Sequence, residues 1–159
     1  MLFVQTNAQV YEIYKNDTIN RVDSQNKKQG KWIFFFTKER LKPKTSGNFV
    51  NNKRVDLWIA YHTNGNRKSE ITYQSGKPIG VARFYYENGN IREEGTWNIN
   101  RWTGPYRFYH ENGNLSYEFE FNQNGKRTGK QYYYYNTGEL MIEGAWENGK
   151  EADKITEYY

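Results

Sequence analysis

The chain contains no cysteine, which excludes disulfides, thiolate metal sites and cysteine nucleophiles together. It has only two histidines, and neither has a second histidine or a thiol beside it in sequence, so a metal site or a catalytic triad lacks its constellation. No run approaches the ~18 apolar residues of a membrane-spanning helix, and no stretch carries a helical period. A strong charge of one sign is missing too. Lys and Arg total 23 against 18 Asp and Glu, a net +5 that reads as an interspersed, solvated surface rather than a nucleic-acid footprint. Nothing in the composition calls for a cofactor. Aromatic residues fill the gap: they make up 18% of the chain, with 15 Tyr against 2 Met. Tyr and Trp bury an apolar body and keep a polar tip in water, which suits a thin, two-sided sheet better than a thick aliphatic core.

The aromatics recur within a repeated phrase. One copy opens at Gly80 with Arg83, Phe84, Tyr85 and Tyr86, turns at Asn88-Gly89, and continues through Ile91, Glu94 and Trp97. The next opens at Gly104 and the third at Gly129; an earlier copy runs from Asp56 through Tyr61, Asn64-Gly65, Glu70 and Tyr73. The turn glycines Gly65, Gly89, Gly113 and Gly138 lie 24, 24 and 25 residues apart, the signature of a repeat architecture. Each copy holds two aromatic or β-branched runs around an Asn-Gly-type turn, the strongest short-range hairpin signal, with positive φ expected at both turn residues. The glycines read as turn glycines. No helix follows any of them, so none reads as a phosphate cradle. The expected fold is all-β: an elongated, twisted antiparallel meander of tandem ~24-residue hairpins, about 10–12 strands.

The chain divides into a lead-in over residues 1–29 and a repeat array over 30–159. The array comprises a divergent first repeat at 30–54 with an irregular second half, regular repeats at 56–150, and a terminal half-repeat at 151–159, where Asp153 takes the glycine position. In the lead-in, Tyr11, Ile13, Ile19 and Val22 allow a short strand or two. Met1 to Ala8 reads either as the tail of a truncated secretory signal or as an ordinary frayed end.

Period-2 arithmetic puts Ile91, Trp97, Leu115, Phe121, Leu140 and Trp146 on one buried face and Arg92, Glu94, Ser116 and Glu143 on the other. Two rows run in register with the repeat. Glu70, Glu94, Glu118 and Glu143 fall ~10 Å apart, two strand spacings, too far to share a proton or a metal. They are expected to pair with Arg83, Arg107, Lys68 or Arg92. Tyr61, Tyr85, Tyr109, Tyr134 and Tyr158 form the second row, either stacked scaffolding or an exposed platform. Arg83, Tyr85, Arg107, Tyr109 and Tyr134 are the candidate partner-binding residues, because Tyr and Arg dominate binding hot spots. Catalytic, cofactor and metal residues are not indicated.

The Gly-x-x-x-Phe/Tyr-Tyr opening, the Asn-Gly turn, the Leu or Ile two residues on, the Glu three after that and the closing Asn-Gly-Lys turn resemble the MORN-variant repeat of YwqK-like antitoxin proteins. The resemblance runs from Gly30 to Tyr159 and is clearest over residues 56–150. It implies a non-enzymatic module that binds a protein partner, such as the bacterial toxin to which an antitoxin or immunity protein answers, with no nucleic acid involved and the oligomeric state open. The alternative is an exported cell-envelope protein that binds glycan or lipid headgroups through its aromatic rows. The first reading implies a cytoplasmic protein and the second a periplasmic or secreted one.

Overall fold

The computed structural model describes residues 3–6, 9–152 and 155–159, with side chains from Gln9 onward. The expectations for a signal remnant ending near Ala8 and for Asp153 at the glycine position lie outside the described residues. Every regular element that is described is a β-strand, and the chain forms two compact units, Met1–Pro78 and Ile79–Tyr159.

The first unit is an antiparallel meander of β1 (Phe3–Thr6), β2 (Gln9–Tyr14), β3 (Asp17–Val22), β4 (Lys28–Phe35), β5 (Pro43–Val50), β6 (Lys53–Tyr61) and β7 (Arg67–Gln74), each paired with the next. The second runs the same way through β8 (Lys77–Tyr85), β9 (Ile91–Asn98), β10 (Arg101–Tyr109), β11 (Leu115–Phe121), β12 (Arg127–Tyr134) and β13 (Leu140–Glu147). The short β14 (Lys150–Glu151) and β15 (Thr156–Glu157) both pair with β13. The meander of hairpins is as expected, but the fifteen strands among the described residues exceed the expected count. The lead-in supplies three of them. Residues 42–54, expected to be irregular, contain the eight-residue β5, with Pro43 at its first position, where no ladder donor is lost.

Two kinds of turn alternate. Gly65, Gly89, Gly113 and Gly138 take φ between +94° and +97°, but the Asn before each of the first three does not share positive φ. Both-residue positive φ is therefore wrong for these turns. The Gly89 N–H donates to the Tyr86 carbonyl at 3.0 Å and the Tyr86 N–H to the Asn90 carbonyl at 2.9 Å. That is a tight turn followed by a left-handed glycine, a three-residue loop. The two-residue primed turn appears instead at Asn51-Asn52, Ser75-Gly76 and Asn148-Gly149, where both residues have positive φ.

The phrase-opening glycines are not turn glycines. Gly104 and Gly129 lie inside β10 and β12 at φ +68° and +70°, where the ladder slips out of register. A β-bulge of this kind needs a left-handed residue. Asp56 fills the same role in β6 at φ +58°, and Asn20 in β3 at φ +54°. Asn20 goes further: its Oδ1 accepts the Ile33 N–H at 2.9 Å and its Nδ2 donates to the Ile33 carbonyl at 3.2 Å.

One face of each unit is aromatic. In the first, Trp32, Phe49 and Trp58 are buried and Phe34 and Tyr73 pack against them. Gly47 is required here, since an added Cβ would lie 2.3 Å from the Trp58 indole. In the second, Trp102, Tyr106, Phe119 and Tyr133 form a chain of ring contacts. Truncating one of the buried rings would cost ~3–5 kcal/mol. The six residues expected to form the buried surface are only half-buried, no deeper as a class than Arg92, Glu94, Ser116 and Glu143. On an open sheet a side chain is covered only by its lateral neighbours. In the second unit the deep positions are Ala82, Thr103, Tyr106, Phe119 and Gln131, in strand interiors.

Candidate partner-binding face

The face opposite the aromatics in the second unit carries a ladder with one rung per strand. Register places Glu94 between Arg83 and Arg107, and Glu118 between Arg107 and Tyr132. Arg83 Nε donates to Glu94 Oε2 at 3.0 Å, and Arg107 Nε to Glu118 Oε2 at 3.3 Å. The Tyr109 hydroxyl reaches back to Glu94 Oε1 at 2.9 Å, Tyr134 to Glu118 Oε1 at 3.1 Å, and Tyr158 to Glu143 Oε1 at 3.0 Å. Each carboxylate thus collects an arginine or a cross-strand neighbour together with the tyrosine one repeat later.

The glutamates pair with Arg83 and Arg107 as expected, whereas Glu70 pairs with Arg67 and Arg92 turns to Glu93. Three members of the tyrosine row, Tyr109, Tyr134 and Tyr158, are held by hydroxyl–carboxylate bonds, an arrangement that neither of the two alternatives, ring stacking or an exposed platform, described. Four candidate residues, Arg83, Arg107, Tyr109 and Tyr134, meet through Glu94 and Glu118; Tyr85 closes β8 opposite Ile91.

These contacts set the electrostatics. Burial pushes the Glu94 carboxyl up, but hydrogen bonds from Arg83 and Tyr109 outweigh it and hold the group below the ordinary carboxylate range. Burial, and then the charge of Glu118, push the Tyr134 hydroxyl up to about 12. Burial and the Glu94 hydrogen bond raise Tyr109 as well. Arg107, bonded to Glu118, is held above its ordinary value.

Beside the charged rung Arg83–Glu94–Arg107 lies a row of short side chains, Val81, Thr96 and Pro105. The difference in height opens a depression of about 300 Å³. Sequence reasoning missed it; the visible signal was Val81 two residues before Arg83, Thr96 two after Glu94 and Pro105 two before Arg107, each short residue beside a long one.

Along the turn edge the repeats are stapled a second time. The side-chain amides of Asn88 and Asn90 both donate to the Glu111 carbonyl at 2.9 Å, and those of Asn112 and Asn114 to the Asn136 carbonyl at 2.8 Å. The Tyr86 hydroxyl donates to the Tyr109 carbonyl at 2.7 Å, and His110 Nε2 lies 3.0 Å from the Tyr134 carbonyl. His110 therefore bridges repeats. Among the described residues no group of three or more His, Asp or Glu could hold a metal ion.

Charge is not interspersed as the whole-chain total suggested. Residues 1–78 hold 14 of the basic residues and 6 of the acidic ones, a formal +8; residues 79–159 hold 9 and 12, a formal −3.

Four segments, residues 57–75, 78–98, 102–126 and 127–148, match the family profile described as MORN repeat variant, together more than half of the chain. The chain belongs to the MORN repeat variant family. No curated protein matches the chain. MORN repeats are in general binding or structural modules, which makes this chain a repeat-based binding module. The matched MORN repeats place the ladder in order: Arg83 and Glu94 in the second segment, Arg107, Tyr109 and Glu118 in the third, Tyr134 and Glu143 in the fourth.

Proposed function

We propose that the chain is a non-enzymatic module that binds a protein partner through the ladder face, with Arg83, Tyr85, Arg107, Tyr109 and Tyr134 as contact residues. The observation that carries this reading is the pre-ordering of the face. Arg107 is half-exposed yet fixed by Glu118, and Tyr109 and Tyr134 are fixed by Glu94 and Glu118. Side chains already ordered lose little further entropy when a partner docks. The non-enzymatic part rests on the general character of the family and on carboxylates committed to arginine and tyrosine. The finer identity, an antitoxin or immunity protein answering a toxin, rests on the resemblance of the repeat phrase alone.

The test is capture of a partner from native host extract, its identification by mass spectrometry, and re-binding with purified components. Arg107→Glu sets a third carboxylate between Glu94 and Glu118 and lowers the melting temperature; measured well below that temperature, it is expected to weaken binding at least about tenfold, ~1.4 kcal/mol. Recovery of no protein partner, while the purified chain binds envelope glycan or lipid headgroups, would replace this reading with the envelope alternative.

A further inference from the structure

Resting on the partner-binding reading, we infer that the depression beside Arg107 receives an extended segment of the partner that carries an aliphatic side chain and, two residues away, an aspartate or glutamate. Three observations converge.

The floor is apolar and open. Val81 is 48% exposed, unusual for a β-branched residue on a face otherwise lined by charge, and Pro105 is exposed beside it. Burying an exposed valine against a partner's Val, Leu or Ile gains apolar area on both sides. A volume of about 300 Å³ has room for such a side chain and its neighbouring backbone, but not for a folded element.

The wall is cationic. Two guanidiniums, Arg83 and Arg107, line the depression against one carboxylate, Glu94, which already accepts bonds from Arg83 and the Tyr109 hydroxyl. Arg107 commits its Nε to Glu118, outside the depression, and its side chain is 50% exposed. The local balance favours an incoming carboxylate, and a guanidinium is the donor that binds carboxylates best.

Spacing joins the two. Val81 and Arg83 stand two residues apart on β8, as do Pro105 and Arg107 on β10, so the apolar row and the cationic row are separated by two strand residues. In an extended peptide, side chains at i and i+2 share a face about 6.8 Å apart. The pattern aliphatic–any–acidic matches both rows at once. Further along this face the same level carries Glu120, Thr128, Lys130 and the half-buried Ala145, with no second pair of arginines beside it, so the site belongs to the junction of the repeats that open at Gly80 and Gly104.

The experiment is a titration of the isotopically labelled full chain with capped heptapeptides, followed by backbone amide and Arg Nε–H resonances. The first is acetyl-Gly-Ser-Leu-Ser-Glu-Ser-Gly-amide; one control replaces Glu by Lys and another replaces Leu by Gly. Expected shifts centre on Val81, Thr96 and the Arg107 Nε–H for the first peptide, and both controls bind at least tenfold more weakly. Val81→Asp and Arg107→Gln, both at exposed positions, abolish the response while the melting temperature holds. Equal response to the Lys peptide, shifts centred elsewhere, or no response up to the solubility limit would overturn the assignment. The underlying reading fails separately. A captured partner that is lost on Arg107→Glu keeps the ladder face even if no peptide responds, whereas a peptide response without any protein partner removes the module's proposed role.

Discussion

Ile99 is the residue most at odds with its conformation. It holds φ +62° in the tight turn between β9 and β10, where the Asn100 N–H donates to the Asn98 carbonyl at 2.8 Å. A β-branched side chain fits left-handed backbone badly, at a cost of ~1–3 kcal/mol. Ile99→Gly is expected to stabilise the protein by ~1 kcal/mol in denaturant unfolding; an unchanged or lower midpoint would mean that the turn tolerates the isoleucine. No glycine stands between Asn98 and Thr103 in the sequence, which marks the turn as irregular but does not say which residue takes the strain. Gln131 is the second outlier. It is fully buried, and neither its Oε1 nor its Nε2 meets a hydrogen-bond partner. It stands two residues after a bulge glycine, where Trp32, Trp58 and Tyr106 stand in other repeats. An unsatisfied buried amide costs ~1–3 kcal/mol, so Gln131→Leu should raise the melting temperature; a fall would show that the amide is satisfied in solution.

At the scale of the hairpin, two glycine roles look alike in sequence because both need positive φ. The Asn-Gly turns were readable from the runs that flank them. The bulges at Gly104 and Gly129 were not, because a bulge is a property of two strands in register and the second strand lies a repeat away. Gly113→Val should cost ~1 kcal/mol or more, measured as a lower unfolding midpoint, since φ +94° is outside what valine accepts. An unaltered midpoint would show that the turn had rearranged. The Tyr–Glu rung makes a pH prediction. The folded Tyr134 hydroxyl is raised from 10.0 to about 12, so its contribution is fully present below pH 10 and is lost as pH rises through 12. Glu94 is lowered, so its contribution holds above the ordinary glutamate value and is lost as pH falls through the folded value. Melting curves taken upward from pH 10 should show Tyr134→Phe losing less stability with pH than the parent; parallel curves would place the alkaline loss elsewhere. The pairing of Glu94 and Glu118 with arginine was legible from period-2 spacing. The tyrosine bonds were not, because Tyr109 reaches Glu94 along a diagonal that residue counting does not reveal.

Over the whole chain, repetition made the fold readable and hid what differs between copies. Four segments share one phrase, and so share hairpins, turns and ladder positions. The depression arises where two adjacent copies place Val81, Thr96 and Pro105 beside long neighbours, and the +8 and −3 halves emerge only when charge is counted unit by unit. The basic excess lies wholly in the first unit, a separation that a single total of +5 conceals. The central claim is that the ladder face, not the aromatic face, carries recognition. The most direct measurement is the affinity of the captured partner for two single variants, each compared with the parent well below its melting temperature. Arg107→Glu alters the ladder. Arg127→Ala alters the aromatic face, where the guanidinium sits 3.9 Å over the Phe119 ring. The account predicts that Arg107→Glu weakens binding at least about tenfold while Arg127→Ala stays within about twofold of the parent. The reverse order, with Arg127→Ala losing the partner and Arg107→Glu keeping it, would contradict it.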